Sequence, residues 1–577
     1  MTQRTKNILI HAGIVLFFLL VSCIYFAPIL SGEALPQGDL QKYEGMAKAQ
    51  KDYHNATGDY STWASSMFSG MPGYQITNSP QHSVFTFLGR LLYLDPFGRG
   101  NDIGVMFLYL IGFYIALIAL GASPWLALLG SLAFSLGSYN IIIIEAGHIT
   151  KARALAMMAP ILAGMILTFK RKYVWGGILF TFALGIQIAL NHIQITFYTV
   201  LAALFLGIVY LIFAIKDKTF KPFLLSVGVL LVGCMLAFGG NLRHLLVNLE
   251  YSKTTMRGGK EITVTPQELD PTAQSSAETT ASSGLDINYA FSWSYGVGET
   301  YTLLVPGAMG GGSGERVNEE SAFYKNFHQN LAPLYWGDQP FTSGPVYFGA
   351  IIIFLFVFGL FVVKGPDRWW LLLATILAII LSWGRNAMGF NEWLFNHLPL
   401  YNKFRTPSMS LVIANVTMVL MAVLAIKAVV ERKDDKSARK SLNHSLYIAS
   451  GITLGVILIG MMLCSGFAFS GAADQQMAQQ YGPQWNMILD VLQQDRMHLF
   501  KADSLRSLIF VALAAGAIWL FINEKIKKAG ILLASLTLLV VVDLWKVDTR
   551  YLSKENFTDE NRIKLELIDH GPGIANV

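Results

Sequence analysis

Long apolar runs alternate with short polar segments along the whole chain. Each run has roughly 18 to 25 residues, which lets a helix cross a hydrocarbon core of about 30 Å. The runs lack the period-two alternation of a barrel strand, and lipid admits only helices or closed barrels. The pattern therefore predicts an all-α polytopic membrane protein with about 13 transmembrane helices. The predicted spans are 8–30, 103–121, 124–144, 153–169, 173–190, 193–214, 222–240, 346–363, 368–384, 407–429, 446–469, 504–522 and 529–546.

Basic residues in the connecting segments predict which side each loop faces. Lys and Arg are concentrated in alternate connections, and such residues mark the cytoplasmic side of membrane proteins. These basic segments are Arg4 to Lys6, 170–172, 216–221, 364–368, 431–440 and 525–528. The N-terminus is therefore predicted to be cytoplasmic. The segments predicted to be extracytoplasmic are 31–102, 241–345, 385–406, 470–503 and the C-terminal tail.

These assignments predict four parts of the chain. They are an N-terminal transmembrane module at 1–240 that includes the outer loop 31–102, a large extracytoplasmic loop at 241–345, C-terminal transmembrane helices at 346–552, and a short extracytoplasmic tail at 553–577. The first outer loop contains an amphipathic segment, 82–94, which is typical of a short helix on the membrane surface.

Composition supports a membrane protein and argues against several other classes. Of the 577 residues, 53% are hydrophobic and 14% are charged, with a mean hydropathy of +0.47. The net charge of +6 does not indicate nucleic-acid binding, because the basic residues lie in short inter-helix loops and form no single basic face. The three cysteines all fall in apolar segments, without metal-ligand spacing, so neither a disulfide framework nor a zinc site is predicted.

A carboxylate follows the first apolar run directly. Asp39 lies in the turn Leu35–Gln41, just beyond the predicted edge of the membrane, where its side chain can face a lipid-borne substrate. We regard Asp39 as the leading candidate for a catalytic residue. The alternative is that Asp39 caps a helix beginning near Gln41, since Asp is a favoured N-cap residue.

A second group of charges lies in the turn Glu145–Arg153, which also contains His148 and Lys151. If a helix begins near His148, then His148 and Lys151 share one face, and Arg153 points elsewhere. Cations at an outer helix start suit a phosphate ligand. Pairing of Lys151 or Arg153 with Glu145, or with lipid headgroups, is the alternative.

Two further connections carry polar residues that a tight turn does not need. Asn191, His192 and Gln194 lie between two apolar runs, and Arg405 precedes another. Polar groups near membrane depth usually face a bundle interior or cavity, which favours a substrate site. Helix packing remains an alternative for Asn191 and Gln194. For Arg405 the alternatives are a phosphate contact and a headgroup anchor.

Several short motifs together resemble a known family. They are the outer Gly38-Asp39, Glu145-Ala-Gly-His148 with Lys151, Asn191-His-Ile-Gln194, Tyr335-Trp-Gly-Asp338, Lys403-Phe-Arg-Thr-Pro407 and Asp543-Leu-Trp545. In order and sidedness they resemble YfhO-type bacterial membrane proteins of the GT-C glycosyltransferase superfamily, in a Bacteroidetes-like version. The resemblance spans nearly the whole chain and implies a GT-C-like bundle in the bacterial inner membrane, with the catalytic module at 1–240.

The resemblance implies an inverting enzyme that moves a sugar from a polyprenyl-phosphate carrier, such as undecaprenyl phosphate, to an extracytoplasmic glycan, lipid or polymer of the cell envelope. It assigns Asp39 as the general base, a role that a carboxylate within hydrogen-bond reach of the acceptor hydroxyl can fill. It also implies that cations stabilise the leaving phosphate. The candidate cations and imidazole are Lys151, Arg153, His192 and Arg405.

The chain departs from the family pattern in its first loop. Many GT-C enzymes carry paired acidic residues there, whereas Leu40 follows Asp39, and Glu44 and Asp59 are more distant. A bound divalent metal is therefore not supported, and no other cofactor is predicted. Larger relatives continue beyond the last helices, which leaves open whether this chain holds the whole acceptor site.

Two other function classes fit a bundle of helices with polar groups between them. One is a transporter or lipid flippase without covalent chemistry, although the sequence contains no inverted repeat and no matched charges in mid-span. The other is a scaffold for envelope assembly. The sequence does not identify the sugar, the lipid carrier or the acceptor.

Overall fold

The computed structural model describes residues 2–65, 67, 69–77, 83–95, 101–258 and 284–563. Part of the predicted loop 241–345 and most of the predicted tail 553–577 lie outside these residues. The described chain is mostly helical. Its α-helices are Gln3–Tyr25, Ala27–Leu30, Gly38–Thr57, Val84–Leu92, Asp102–Ala119, Pro124–Ser135, Ser138–Glu145, Ile149–Ala156, Met158–Phe169, Tyr173–Ala189, Ile193–Lys216, Phe220–Gly239, Leu242–Ser252, Ile287–Ala290, Ala322–Phe327, Ala350–Val362, Pro366–Ser382, Met388–His397, Leu411–Arg432, Lys436–Leu463, Ala472–Tyr481, Pro483–Ile522 and Ala529–Tyr551.

Nine helices in the described ranges are long and apolar enough to cross a membrane. Counting each of two bent helix pairs as one span raises the number to 11. Two further apolar helices, Tyr173–Ala189 and Ala350–Val362, are shorter. Every predicted span coincides with one of these helices or pairs. The prediction of an all-α, multi-pass membrane protein is therefore confirmed, while length and composition support nine to 11 crossings.

Each bend in a helix pair has a local cause. Pro124–Ser135 and Ser138–Glu145 meet at 50°, where the Asn140 side chain donates to the carbonyl oxygen of Phe134 over 2.6 Å. Pro366–Ser382 and Gly384–His397 meet at 112°. Gly384 lies there at φ +44°, and a Cβ at this position would be 2.1 Å from the Ser294 hydroxyl oxygen, so only glycine fits.

Central and peripheral helices differ in burial. The most apolar stretches of Ile149–Phe169 and Pro407–Arg432 are each 94% buried, whereas those of Gln3–Tyr25, Phe220–Gly239 and Lys436–Gly466 are each 22% buried. The peripheral helices expose apolar side chains such as Leu231 and Met462. This exposure is expected where lipid replaces water, because lipid tails are as apolar as these side chains.

Two of the predicted outer segments contain helices that their polar composition did not indicate. The helix Pro483–Ile522 begins within 470–503 and runs for 40 residues. Within 385–406 there is also a helix, Met388–His397. Polar composition indicated exposure to water in both segments, and an exposed helix has the same composition as an exposed loop.

Short strand pairs connect parts of the outer segments that are distant in sequence. Glu33–Ala34 pairs with Thr558–Asp559, Trp63–Ala64 with Met71–Pro72, and Glu315–Arg316 with Leu331–Ala332, all antiparallel. The first pair joins the start of the first outer loop to the chain after the last helix. The amphipathic helix is present at Val84–Leu92, with Phe85 buried and Phe87 exposed.

Candidate functional site

Asp39 lies in the first turn of the helix Gly38–Thr57, and Gln37 is the N-cap residue. The Gln37 side chain is buried and donates to the carbonyl oxygen of Ile144 over 2.7 Å. It also donates to the Asp102 carboxylate over 3.3 Å. Gln37 therefore attaches the first outer loop to the end of the helix Ser138–Glu145, and Asp39 is not the cap.

Gly147 allows the next turn to approach Asp39. Gly147 has φ +83°, a conformation that other residues rarely adopt, and a Cβ at this position would lie 3.0 Å from the Cβ of Gln37. The following residue, His148, is the N-cap of the helix Ile149–Ala156. Its Nδ1 lies 2.9 Å from Oδ2 of Asp39. The side chains of both residues are roughly half exposed, so a ligand can reach the pair from the protein surface.

Lys151 lies one helical turn after His148 and is only 8% exposed. Its ammonium lies 5.7 Å from the centroid of the Tyr139 ring. No carboxylate of the described residues lies within 4.0 Å of it. A buried cation without an anionic partner has a large desolvation cost, which makes this position a candidate for binding an anion.

Arg405 comes from a distant part of the chain and lies close enough to His148 for its charge to add to burial in lowering the pKa of that imidazole. Its guanidinium donates to the Tyr289 hydroxyl over 2.7 Å and lies 5.9 Å from the Trp293 ring centroid. Its backbone carbonyl oxygen accepts a 2.7 Å hydrogen bond from the Gln194 side chain. Arg405 is thus held by aromatic residues of the large outer loop and by the first turn of the helix Ile193–Lys216.

The positive charges act on two histidines. Burial, followed by the charge of Lys151, lowers the pKa of His148 from its ordinary 6.5 to about 4. The same two causes, in the same order, lower the pKa of His192 to about 3, with a smaller effect from Arg257. Both imidazoles are therefore neutral at pH 7. His192 uses Nδ1 to accept a 3.3 Å hydrogen bond from the backbone N–H of Ile195.

Acidification is expected to destabilise the folded chain between pH 6.5 and about 4. In the unfolded chain the two imidazoles take up protons near pH 6.5, whereas in the folded chain they do so only near pH 4 or below. The unfolded state binds more protons in this window, so the free energy of unfolding falls as pH falls. Apparent unfolding temperatures in detergent at pH 7 and pH 5 test this. The double variant His148→Gln/His192→Gln should lose less stability on acidification, and an equal loss would contradict the assignment.

We refer to Asp39, His148, Lys151, His192, Arg257 and Arg405 as the Asp39 cluster. Arg257 was not selected from the sequence, where it is one of several basic residues in a long loop. Its guanidinium donates to the carbonyl oxygen of Lys403 over 3.1 Å, and the Lys403 ammonium donates back to the carbonyl oxygen of Arg257 over 2.6 Å. This exchange places Arg257 beside Arg405.

Three predicted site residues make their contacts elsewhere. Arg153 forms an ion pair with Asp95 at 3.3 Å and lies over the Tyr93 ring. Asn191 accepts a 2.7 Å hydrogen bond from Asn248. Glu145 ends the helix Ser138–Glu145 and is partly buried, and it forms no ion pair with Lys151 or Arg153.

The residues of this region are poorly suited to hold a metal ion. Within the described ranges, no group of three or more His, Cys, Asp or Glu side chains has the geometry of a metal site. The Asp39 cluster itself offers one carboxylate and two neutral imidazoles beside three cations. Such a balance favours an anionic ligand over a cation.

Comparison with known proteins gives only distant similarity. No family model and no curated protein matches the chain. Among solved structures, the chain is similar to ArnT from Cupriavidus metallidurans in the apo state, with 13% identity over 96% of this chain and 78% of that chain, at a TM-score of 0.36. It is also similar to the same protein bound to undecaprenyl phosphate, with 14% identity over 94% of this chain and 78% of that chain, at a TM-score of 0.36. At this TM-score the similarity determines neither the family nor the activity.

Proposed function

We propose that the chain is an inverting membrane glycosyltransferase that takes a sugar from a polyprenyl-phosphate donor. The observation that carries the proposal is that one carboxylate and one buried lysine side chain lie close enough for their charges to interact. The Asp39 side chain is about half exposed, whereas Lys151 is buried. Transfer from a lipid phosphate needs a proton acceptor on one side of the sugar and positive charge on the other.

In this proposal the Asp39 carboxylate accepts the proton of the acceptor hydroxyl. Neutral His148 donates its Nδ1–H to Oδ2 of Asp39, which leaves Oδ1 available for that proton. The acceptor oxygen attacks the anomeric carbon, and the bond from this carbon to the phosphate oxygen breaks on the opposite face. The configuration at the anomeric carbon is thereby inverted.

The departing phosphate carries the electron pair of the broken bond. Lys151 and Arg405 are the groups that we assign to stabilise this charge. A cation in a partly buried site interacts more strongly with a phosphate than the same cation in water, because fewer water molecules screen the interaction. Arg405 presents a planar guanidinium that suits two oxygens of one phosphate. Gln194 supports Arg405 through its backbone carbonyl oxygen.

Release of undecaprenyl phosphate tests the activity directly. The purified chain would be reconstituted in vesicles with a panel of undecaprenyl-phosphate-linked hexoses and amino sugars, and with an envelope extract of the expressing cells as acceptor. We expect undecaprenyl phosphate to accumulate with at least one donor, and the product to have the opposite anomeric configuration. Binding of the donors without release from any of them would contradict the proposal and favour a lipid flippase.

The proposal requires the Asp39 cluster to be extracytoplasmic, and this orientation can be measured. In a background without Cys23, Cys234 and Cys464, we expect Ala56→Cys to react in intact cells with a membrane-impermeant maleimide. Ser437→Cys lies in a predicted cytoplasmic segment and should react only with a permeant reagent. Both positions are exposed and both changes are small. The reverse pattern would invert the topology and place the cluster in the cytoplasm.

A further inference from the structure

A cavity of about 290 Å³ lies at the opposite end of the bundle from the Asp39 cluster. Its lining includes Lys170, which follows the helix Met158–Phe169, and Arg432, which ends the helix Leu411–Arg432. Lys151 lies at the start of the span Ile149–Phe169, and Arg405 shortly precedes the helix Leu411–Arg432. The span Ile149–Phe169 and the helix Leu411–Arg432 therefore each have the Asp39 cluster near their first residue and this cavity near their last. We call it the basic cavity.

The charges of the basic cavity do not balance. Lys170, Lys364, Lys427 and Arg432 face two carboxylates, Asp367 and Glu431. Asp367 is already bonded, because it accepts hydrogen bonds from Tyr210 over 2.8 Å and Trp370 over 3.2 Å and pairs with Lys170 at 3.6 Å. Glu431 is 61% exposed and lies 4.0 Å from Lys427. Two positive charges thus remain in excess.

The excess charge belongs chiefly to Lys364 and Arg432. Throughout the described chain, no carboxylate lies within 4.0 Å of either side chain. Arg432 donates to the carbonyl oxygens of Val362 over 2.6 Å and Ala428 over 3.2 Å. These bonds fix its orientation, but a neutral carbonyl does not cancel its charge. Arg432 is only partly exposed, so bulk water solvates it incompletely.

The rest of the lining is apolar. Leu120, Leu424 and Ala428 are partly exposed and form a wall beside the cations. A small hydrophilic anion would gain from the cations but leave this wall in contact with water. An amphiphile with a phosphate and hydrocarbon chains would use both surfaces. A volume of this size suits a phosphate group and the first carbons of the acyl chains, with the remainder in the bilayer.

We propose that the basic cavity binds an anionic glycerophospholipid. The phosphate lies between Lys364 and Arg432, and the first acyl carbons contact the partly exposed side chains of Leu120 and Leu424. The lipid then contacts the C-terminal ends of Met158–Phe169 and Leu411–Arg432, at the opposite end of the bundle from the Asp39 cluster. This site is independent of the proposed transfer reaction.

Native mass spectrometry of the delipidated full chain in detergent tests the site. The probes are phosphatidylglycerol and phosphatidylcholine with the same acyl chains. Each basic residue near a lipid headgroup contributes roughly fivefold in affinity, so the double variant Lys364→Gln/Arg432→Gln should bind phosphatidylglycerol about 25-fold more weakly. The matched control is Lys216→Gln/Lys221→Gln, which removes two exposed charges that do not line the cavity. The control should bind as the wild type does.

A third variant keeps every charge. Ala428→Leu introduces a larger side chain into the cavity, and it should also weaken phosphatidylglycerol binding, even if the double variant does not fold. Equal binding of phosphatidylglycerol and phosphatidylcholine to the wild type would overturn the proposal. So would unchanged binding in Ala428→Leu. Displacement of the lipid by an equal concentration of inorganic phosphate would assign the site to free phosphate and would overturn it as well.

Discussion

Asp39→Asn is expected to reduce sugar transfer by about 10²–10⁴-fold, the usual contribution of general base catalysis. Asn keeps the size of the side chain and still accepts a hydrogen bond from the His148 imidazole, so the local geometry should persist. The change removes the negative charge and the ability to take a proton. Rates of undecaprenyl phosphate release under single-turnover conditions measure the effect, and binding of undecaprenyl phosphate should change little.

Asp52→Asn is the matched control for this change. Asp52 lies in the same helix, is exposed, and among the described residues pairs only with Lys48 four residues earlier, so its loss should leave the rate unchanged. The variant His148→Gln tests whether Asp39 or His148 takes the proton. If Asp39 takes the proton, His148→Gln should lower the rate far less than Asp39→Asn does. A near-wild-type rate in Asp39→Asn would contradict the assignment, and the base would then have to be sought at Glu44, Asp59 or Glu145.

Lys151→Gln is expected to lower transfer by roughly 10²–10³-fold while leaving the chain at least as stable as the wild type. Removal of one hydrogen-bond donor that stabilises the charge developing on a leaving group typically has an effect of this size. Stability should not fall, because no carboxylate of the described residues lies within 4.0 Å of Lys151 and no buried anion is left unpaired. Transfer rates and apparent unfolding temperatures, measured on the same preparations, test both parts.

The combination of lower activity and retained stability distinguishes a ligand-binding cation from a structural one. Arg153→Gln gives the contrast, since it removes the partly buried ion pair with Asp95 and should lower the unfolding temperature. Lys42→Gln removes an exposed charge of the first outer loop and should change neither quantity. If Lys151→Gln destabilised the chain as strongly as Arg153→Gln and transferred sugar normally, the phosphate role of Lys151 would be excluded.

The sequence alone did not distinguish a catalytic Asp39 from an Asp39 that caps a helix. A Pro and Gly turn before a helix is equally typical of a cap and of an exposed functional loop. The cap residue is Gln37, whose side chain is occupied by Ile144 and Asp102. Which residue becomes the cap depends on the helix against which the turn packs, and that neighbour is distant in the chain.

The amino-acid sequence by itself determined the all-α, multi-pass architecture and the positions of most helices. The length and hydropathy of a run are local properties, and lipid leaves a long apolar run little choice except a helix. Polar stretches were less informative, as the helix Pro483–Ile522 demonstrates, because water permits both helix and loop. The resemblance to YfhO-type proteins and the roles of the site residues stay predictions.

Only the tertiary structure decided which candidate residues lie together. Gln194 contacts the carbonyl oxygen of Arg405 across a separation of 211 residues, and Gln37 contacts Ile144 across 107. Asp39 meets His148 because Gly147 allows a close backbone approach, and Arg153 is directed to Asp95 instead. Such contacts depend on how distant helices pack and on the space between them. The order of residues in a single chain does not specify that packing in any local pattern.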